Sequence, residues 1–235
     1  MAESVIPNET EQRLLAGLPM FAGIDPEVLS ELATHLKRRT YRRGEVIYHR
    51  EDPPGSLFIV SRGIVKMQLD SSVGKRLTIG WVAKGNFFGT ISVFGEILRP
   101  ENAVALEPCE LFVLNRDAFR SFLRSHPAAG EAFMAIMAAR WRHALERLHD
   151  VAFLDVQTRL AKTLLDFSHR DALTEPTEPD VIQKLTQLEL AALIVTRRET
   201  VSKWLHYFAR RQWIAFDRGR IRILQADALR RLSSQ

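Results

Sequence analysis

Residues 185–205, LTQLELAALIVTRRETVSKWL, hold two helix starts with almost no linker between them. Thr186 is followed three residues on by Glu189, and Thr196 in the same way by Glu199. A hydroxyl with a carboxylate at that spacing is a capping box, and Leu185 and Leu190 stand where a hydrophobic staple packs. Leu190, Leu193 and Ile194 close the first helix; the second opens on Arg197, Arg198, Glu199 and Thr200. Two short capped helices joined this tightly can form little other than a helix-turn-helix. Val201, Leu205 and Phe208, spaced i, i+4, i+7, predict the buried stripe of the second helix. Its other face carries Arg198, Glu199, Ser202 and Lys203, side chains of the kinds that read base edges in a major groove. Two blander roles compete: Glu199 as a helix cap only, and an arginine-rich face that is merely solvated.

The charge distribution favours the first reading. Residues 184–235 hold 11 Lys and Arg against 4 Asp and Glu, whereas residues 1–183 hold 22 against 24. A basic last quarter on a nearly neutral chain is the electrostatic footprint of a nucleic-acid partner.

Other chemistries find little support. One cysteine among 235 residues, Cys109, leaves neither an internal disulfide framework nor a cysteine-ligated iron–sulfur cluster. The seven histidines (His35, His49, His126, His143, His149, His169 and His206) form no haem-ligating motif. No set has metal-ligand spacing, and no Gly-x-Gly-x-x-Gly or Walker A loop occurs. No nucleophile–base or paired-carboxylate constellation appears, so an enzyme is not expected. No apolar run reaches the ~18 residues of a membrane span, and the N-terminus lacks the regions of a signal peptide. A cytoplasmic protein without a membrane partner is the expectation.

Taken in order, residues 10–18 predict a short helix. Asp25 and Pro26 open another as cap and first helical residue, with Val28, Leu29, Leu32 and Leu36 on one side. From residue 40 to 114 short apolar segments recur at 46–48, 57–60, 65–69, 77–82, 104–105 and 111–114, punctuated by glycines and with a hairpin tip at 71–75. That rhythm predicts an all-β sandwich or barrel, with Cys109 buried in a strand. A helix begins at Arg116, and a long one runs from His126-Pro127 to Phe153. Met134, Ala138, Trp141, Leu145, Leu148 and Ala152 recur on it at spacings of four and three, a coiled-coil-like seam that, between a β domain and a DNA-binding one, predicts dimerisation ahead of ordinary core. Residues 155–168 form the next helix, on the apolar face of Val156, Leu160, Thr163, Leu164 and Phe167, followed by a polar stretch at 174–180. After the helix-turn-helix, residues 213–216 and 221–224 predict a hairpin with Arg218 and Arg220 at its tip, the wing of a winged helix. Such arginines meet phosphates, which position a reader without carrying sequence information.

Six segments in order, YRRGE (41–45), GIVK (63–66), GNFFG (85–89), ALEPCEL (105–111), AFLDV (152–156) and RRETVS (197–202), resemble the CRP/FNR family, the cyclic-AMP receptor protein and its relatives. The likeness covers about residues 21–224. It implies an α+β chain in three parts: a β-roll (jelly-roll) sensor over 1–125, a dimerisation helix over 126–153, and a winged-helix reader over 154–235. It further implies a hinge at Phe153, Leu154 and Asp155, a bacterial transcription regulator, and RNA polymerase as a partner. Arg198, Glu199, Ser202 and Lys203 fall on the family's base-reading positions, which implies palindromic DNA with TGTGA- or TTGAT-like half-sites. Thr186, Thr196, Arg197, Thr200, Arg218 and Arg220 fall to phosphate contacts.

The effector pocket departs from the family. Cyclic-nucleotide binders carry Gly-Glu-Leu for the ribose and Arg-Ser/Thr-Ala for the cyclic phosphate; here Gly89, Thr90 and Ile91 and then Arg99, Pro100 and Glu101 stand in those places. Proline offers no N–H to a phosphate, and an inward Glu101 would repel one. On the long helix the adenine-binding positions are Ala144 and Leu145, which cannot hydrogen-bond; Arg140 remains available. These losses argue against cyclic AMP and leave a DNA-binding regulator with another, unidentified effector. The alternatives are a cyclic-nucleotide regulator with an atypical pocket, a small-molecule module without DNA binding, and an empty, structural pocket.

Overall fold

The computed structural model describes residues 9–71, 76–95, 97–171, 181–182, 186–217 and 220–233. Two compact units divide the chain, Met1–Trp141 and Arg142–Gln235.

In the first unit α1 (Glu9–Ala16) and α2 (Pro26–Ala33) precede the strands. Asp25 caps α2 by accepting from the Glu27 N–H at 2.9 Å, with Pro26 at the first position. The helix ends at Ala33, so Leu36, expected on its apolar side, begins a strand instead. The strands are β1 (Leu36–Tyr41), β2 (Val46–Tyr48), β3 (Ser56–Arg62), β4 (Ile64–Asp70), β5 (Arg76–Ala83), β6 (Phe87–Phe88), β7 (Asn102–Ala105) and β8 (Cys109–Asn115). They form two antiparallel four-stranded sheets, β1-β8-β3-β6 and β2-β7-β4-β5. This is the expected β-roll.

The apolar runs of β3 and β8 are continuous because both of their faces are buried. Leu57, Ile59, Phe112 and Leu114 pack toward a cluster with Leu15, Leu18, Phe21, Phe119 and Phe133. Their neighbours Phe58, Val60, Cys109 and Leu111 point the other way, to Tyr48, Val65, Met67, Phe88 and Ala105. β1 was not legible in the sequence. Its residues are LKRRTY, mostly exposed, and it pairs on one side only, with β8. Lys and Arg on an edge strand discourage pairing with further chains, and the same charges hide the strand from a hydrophobicity reading. Gly63 makes the β3–β4 turn at φ 88°, where an added Cβ would lie 2.6 Å from the Pro108 carbonyl. The expected tip at 71–75 lies, from Ser72 on, outside the described residues.

A short α3 (Ile91–Phe94) follows β6, and α4 (Arg116–Ser125) is capped by Asn115. Then α5 runs from Pro127 to Phe153, the bounds expected from sequence. Only Ala129 and Phe133 of α5 are buried.

The second unit holds α6 (Val156–Asp171), α7 (Gln187–Leu193), α8 (Arg198–Arg210), α9 (Ala226–Ser233) and a small sheet of β9 (Val181–Ile182), β10 (Ile214–Asp217) and β11 (Arg220–Ile223) in order β10-β11-β9. The wing hairpin was expected; β9 and α9 were not. Leu160, Ala161 and Leu164 of α6 are fully buried, as is Leu229 of α9. Among the described residues no helix is long and apolar enough to cross a membrane.

Candidate nucleic-acid interface and sensor pocket

Thr186 caps α7 through a complete capping box: its Oγ1 accepts from the Glu189 N–H at 3.2 Å, and Glu189 Oε2 accepts from the Thr186 N–H at 2.8 Å. The staple partner Leu185 lies outside the described residues. The turn into α8 is a left-handed cap. Val195 sits at φ 56°, and the Thr196 N–H donates to the Ala191 carbonyl at 2.9 Å. That is the bond of a Schellman motif, which glycine usually occupies. Its place is taken here by a β-branched residue, a strained choice.

The second capping box is not formed. The N-cap of α8 is Arg197, not Thr196, and no side chain caps it. The Schellman bond uses the Thr196 N–H to finish the turn, so the helix starts one residue later than the Thr196/Glu199 pattern predicts. This frees Glu199: among the described residues neither it nor Arg198 has a side-chain hydrogen bond or ion pair.

Val201, Leu205 and Phe208 are buried as expected, with the Phe208 ring 5.6 Å from that of Trp213. They press α8 into its unit and turn the opposite face outward. Arg198, Glu199 and Lys203 on that face are exposed and Ser202 is half-buried. His206, which the sequence left as one histidine among seven, continues the same line one turn on. Its Nδ1 is 2.7 Å from the Ser202 carbonyl, which can only accept, so Nδ1–H donates, and Nε2 has no hydrogen-bond partner among the described residues. Of the phosphate candidates, Arg197 and Arg220 are exposed and Thr196 and Thr200 half-buried. Thr186 is exposed but has its hydroxyl in the capping box, and Arg218 lies outside the described residues.

In the first unit the roll brings Gly89, Thr90 and Arg99 together. Arg99 is 4% exposed. Its Nη1 donates to the Gly89 carbonyl at 3.0 Å and its Nη2 to the Ser56 carbonyl at 2.8 Å. Its guanidinium lies over the Tyr48 ring, 4.4 Å from the centroid, and 5.5 Å from that of Phe58. Gly89 allows this approach, since a Cβ there would stand 2.7 Å from Arg99 Nη1. Glu101 does point inward: it is 7% exposed and its Oε1 accepts from the Tyr48 hydroxyl at 2.8 Å. Burial pushes the Glu101 carboxyl above its ordinary range, against the Tyr48 hydrogen bond and the Arg99 charge. Burial and the neighbouring carboxylate likewise push the Tyr48 hydroxyl far up, so it is a donor at all working pH values. Sequence gave no sign of Tyr48 in this cluster.

The Ile91 side chain is 57% exposed. Arg140 donates to the Phe87 carbonyl at 2.7 Å and stacks on the Phe87 ring. Ala144 and Leu145 are exposed along α5. All six seam residues, Met134, Ala138, Trp141, Leu145, Leu148 and Ala152, are exposed in the single chain. At the expected hinge α5 stops at Phe153, and Asp155 caps α6 by accepting from the Thr158 N–H at 2.7 Å. Arg159 donates back to the Val151 and Leu154 carbonyls at 3.2 and 2.8 Å, and Lys162 pairs with Asp150 at 2.7 Å.

Two family models match the chain: a cyclic nucleotide-binding domain over residues 38–126 and a Crp-like helix-turn-helix domain over 158–232. A CRP-like cAMP-activated global transcriptional regulator of Mycobacterium tuberculosis is 30% identical over 218 residues, covering 93% of this chain and 97% of the relative. The cyclic AMP receptor protein of Thermus thermophilus is 29% identical over 219 residues, covering 93% and 98%. In fold, FixK2 from Bradyrhizobium japonicum superposes with a TM-score of 0.76 at 18% identity, over 85% of this chain and 98% of that one.

Proposed function

Because the chain belongs to the CRP/FNR family of transcription regulators, we propose that it works as a homodimer reading a palindromic DNA site, its affinity set through the β-roll by an effector other than cyclic AMP. It is a DNA-binding transcription regulator with a cyclic-nucleotide-binding type of domain, not an enzyme.

The observation that carries the reading is the free face of α8. Arg198 and Glu199 project without partners among the described residues, beside Ser202 and Lys203. Arg and Lys suit guanine O6 and N7, and a carboxylate accepts from cytosine N4. Half-sites containing TGA, of the TGTGA or TTGAT kind, satisfy that set. Lys203 lacks the rigid fork of an arginine, so its preference for guanine is the softer one. Thr196, Arg197, Thr200, Arg218 and Arg220 hold the phosphates and fix register, whereas the Thr186 hydroxyl is already engaged in the capping box.

The dimer reading rests on α5. Trp141 and Phe153 are 67% and 76% exposed, with Met134, Leu145 and Leu148 beside them in the repeat. A helix with this much apolar surface in water needs a partner, and a second copy supplies the self-complementary face that two half-sites demand. Residues 1–125 then form the sensor, 126–153 the dimer helix and 154–235 the reader, pivoting at Phe153, Leu154 and Asp155. An effector that packs differently in two arrangements of the dimer shifts their populations. RNA polymerase is the downstream partner, and the cytoplasm the compartment. The names of the relatives favour a second reading, cyclic AMP itself in an atypical pocket.

The test is fluorescence anisotropy with a palindromic duplex and a scrambled one, over about 50 to 200 mM salt. The palindrome should bind more tightly, and log K should fall linearly with log salt at about −0.9 per phosphate contact. Affinity independent of salt would refute phosphate contacts, and equal affinity for both duplexes would refute base reading.

A further inference from the structure

We propose that Glu101 and Tyr48 set what the sensor excludes: together they give Arg99 an internal counter-charge and close it to anionic effectors, cyclic nucleotides among them. This deepens the reading that the effector is not cyclic AMP, and rests on it.

A buried guanidinium must be hydrogen-bonded and neutralised, or an anion from solvent will do both. Here the protein supplies the hydrogen bonds itself, and a carboxylate on the far end of the tyrosine that the guanidinium stacks on. Two Arg99 nitrogens are bound to the Gly89 and Ser56 carbonyls, and the flat face of the group lies on Tyr48. The same Tyr48 donates its hydroxyl hydrogen bond to the Glu101 carboxylate, so cation, ring and anion form one buried chain. The backbone is pinned too, since the Glu51 N–H donates to the Arg99 carbonyl at 2.8 Å and the Arg99 N–H to that of Asp52 at 3.0 Å. Pro100 between the two charged residues has no N–H to offer an incoming anion. An anion reaching Arg99 would have to compete with two hydrogen bonds and sit near the Glu101 charge in a low-dielectric interior, where repulsion is weakly screened. Effectors that remain admissible are neutral or apolar.

The gate is testable without DNA. Glu101→Gln keeps the volume and the Tyr48 hydrogen bond but removes the charge; Glu101→Ala also opens space. Thermal melts of the full chain would be recorded with inorganic phosphate at constant ionic strength, and with cyclic AMP. The expected result is no shift for the wild type, an upward shift with phosphate for Glu101→Gln, and an upward shift with either anion for Glu101→Ala. Adding Arg99→Gln to either variant should abolish its shift. A shift of the wild type with cyclic AMP overturns the proposal. So does a cooperatively melting Glu101→Gln that ignores phosphate, which decides the matter even if Glu101→Ala does not fold. Failure of the wild type to bind any duplex would count against the DNA reading alone.

Discussion

Glu199→Ala separates the two roles a carboxylate can have at the start of α8. Were Glu199 a cap, its loss would cost stability, about 0.5–2 kcal/mol for a typical cap. The structure removes that role, because α8 begins at Arg198 behind an uncapped Arg197 and the Glu199 side chain has no hydrogen-bond partner among the described residues. What is left within the protein is a carboxylate in the first turn of a helix, where the helix dipole favours it by roughly 0.3–1 kcal/mol. A base contact is larger: about 1–3 kcal/mol of discrimination, which at 1.4 kcal/mol per tenfold is roughly 5- to 150-fold. The expected variant therefore melts almost where the parent does. It loses most of its preference between the palindrome and a duplex changed at the cytosine opposite the guanine of TGA, and it keeps the slope of affinity against salt. Anisotropy titrations of both duplexes at several salt concentrations read all three quantities. If the preference survives, or if stability falls by a full cap's worth while preference is intact, Glu199 is not a reader.

Arg220→Ala should weaken binding to every sequence about equally and lower the salt slope by about one, measured in the same titrations. Trp141→Asp places a charge in the proposed seam; sedimentation should show a monomer or an unstable chain, and a stable dimer would move the seam elsewhere. The wild type should gain stability relative to Glu101→Gln as pH falls. Because the folded carboxyl titrates above its ordinary 4.5, its stabilising proton is fully present below that value and lost as pH rises through the raised one. Urea melts of both proteins at about pH 4 and pH 8 would reveal the trend, which Glu101→Gln should lack. Phe208→Ala, which empties a fully buried site against Trp213, should cost about 3–5 kcal/mol in the same assay.

Local rules that one helix or strand can satisfy by itself were legible in the residues. The Thr186/Glu189 box, the Asp25-Pro26 start, the Val201–Leu205–Phe208 stripe and the bounds of α5 all follow from spacing along one chain segment. So do most strands of the roll, because both faces of β3 and β8 are apolar and announce themselves. What escaped depends on a neighbour distant in sequence. β1 is a strand because β8 is there to pair with, not because LKRRTY looks like one. β9 has two residues and exists through its register with Ile221 and Arg222. The start of α8 was decided by the turn before it, where Val195 in the left-handed region sent the Thr196 N–H back to Ala191. In the sensor, sequence placed Arg99 and Glu101 two residues apart but could not choose their directions. Only packing could turn both inward and bring Tyr48, 53 residues from Glu101, between them. The reader's chemistry thus follows from a single helix, whose periodicity sequence displays. The sensor's follows from which charges the two sheets bury together, and only the folded roll decides that.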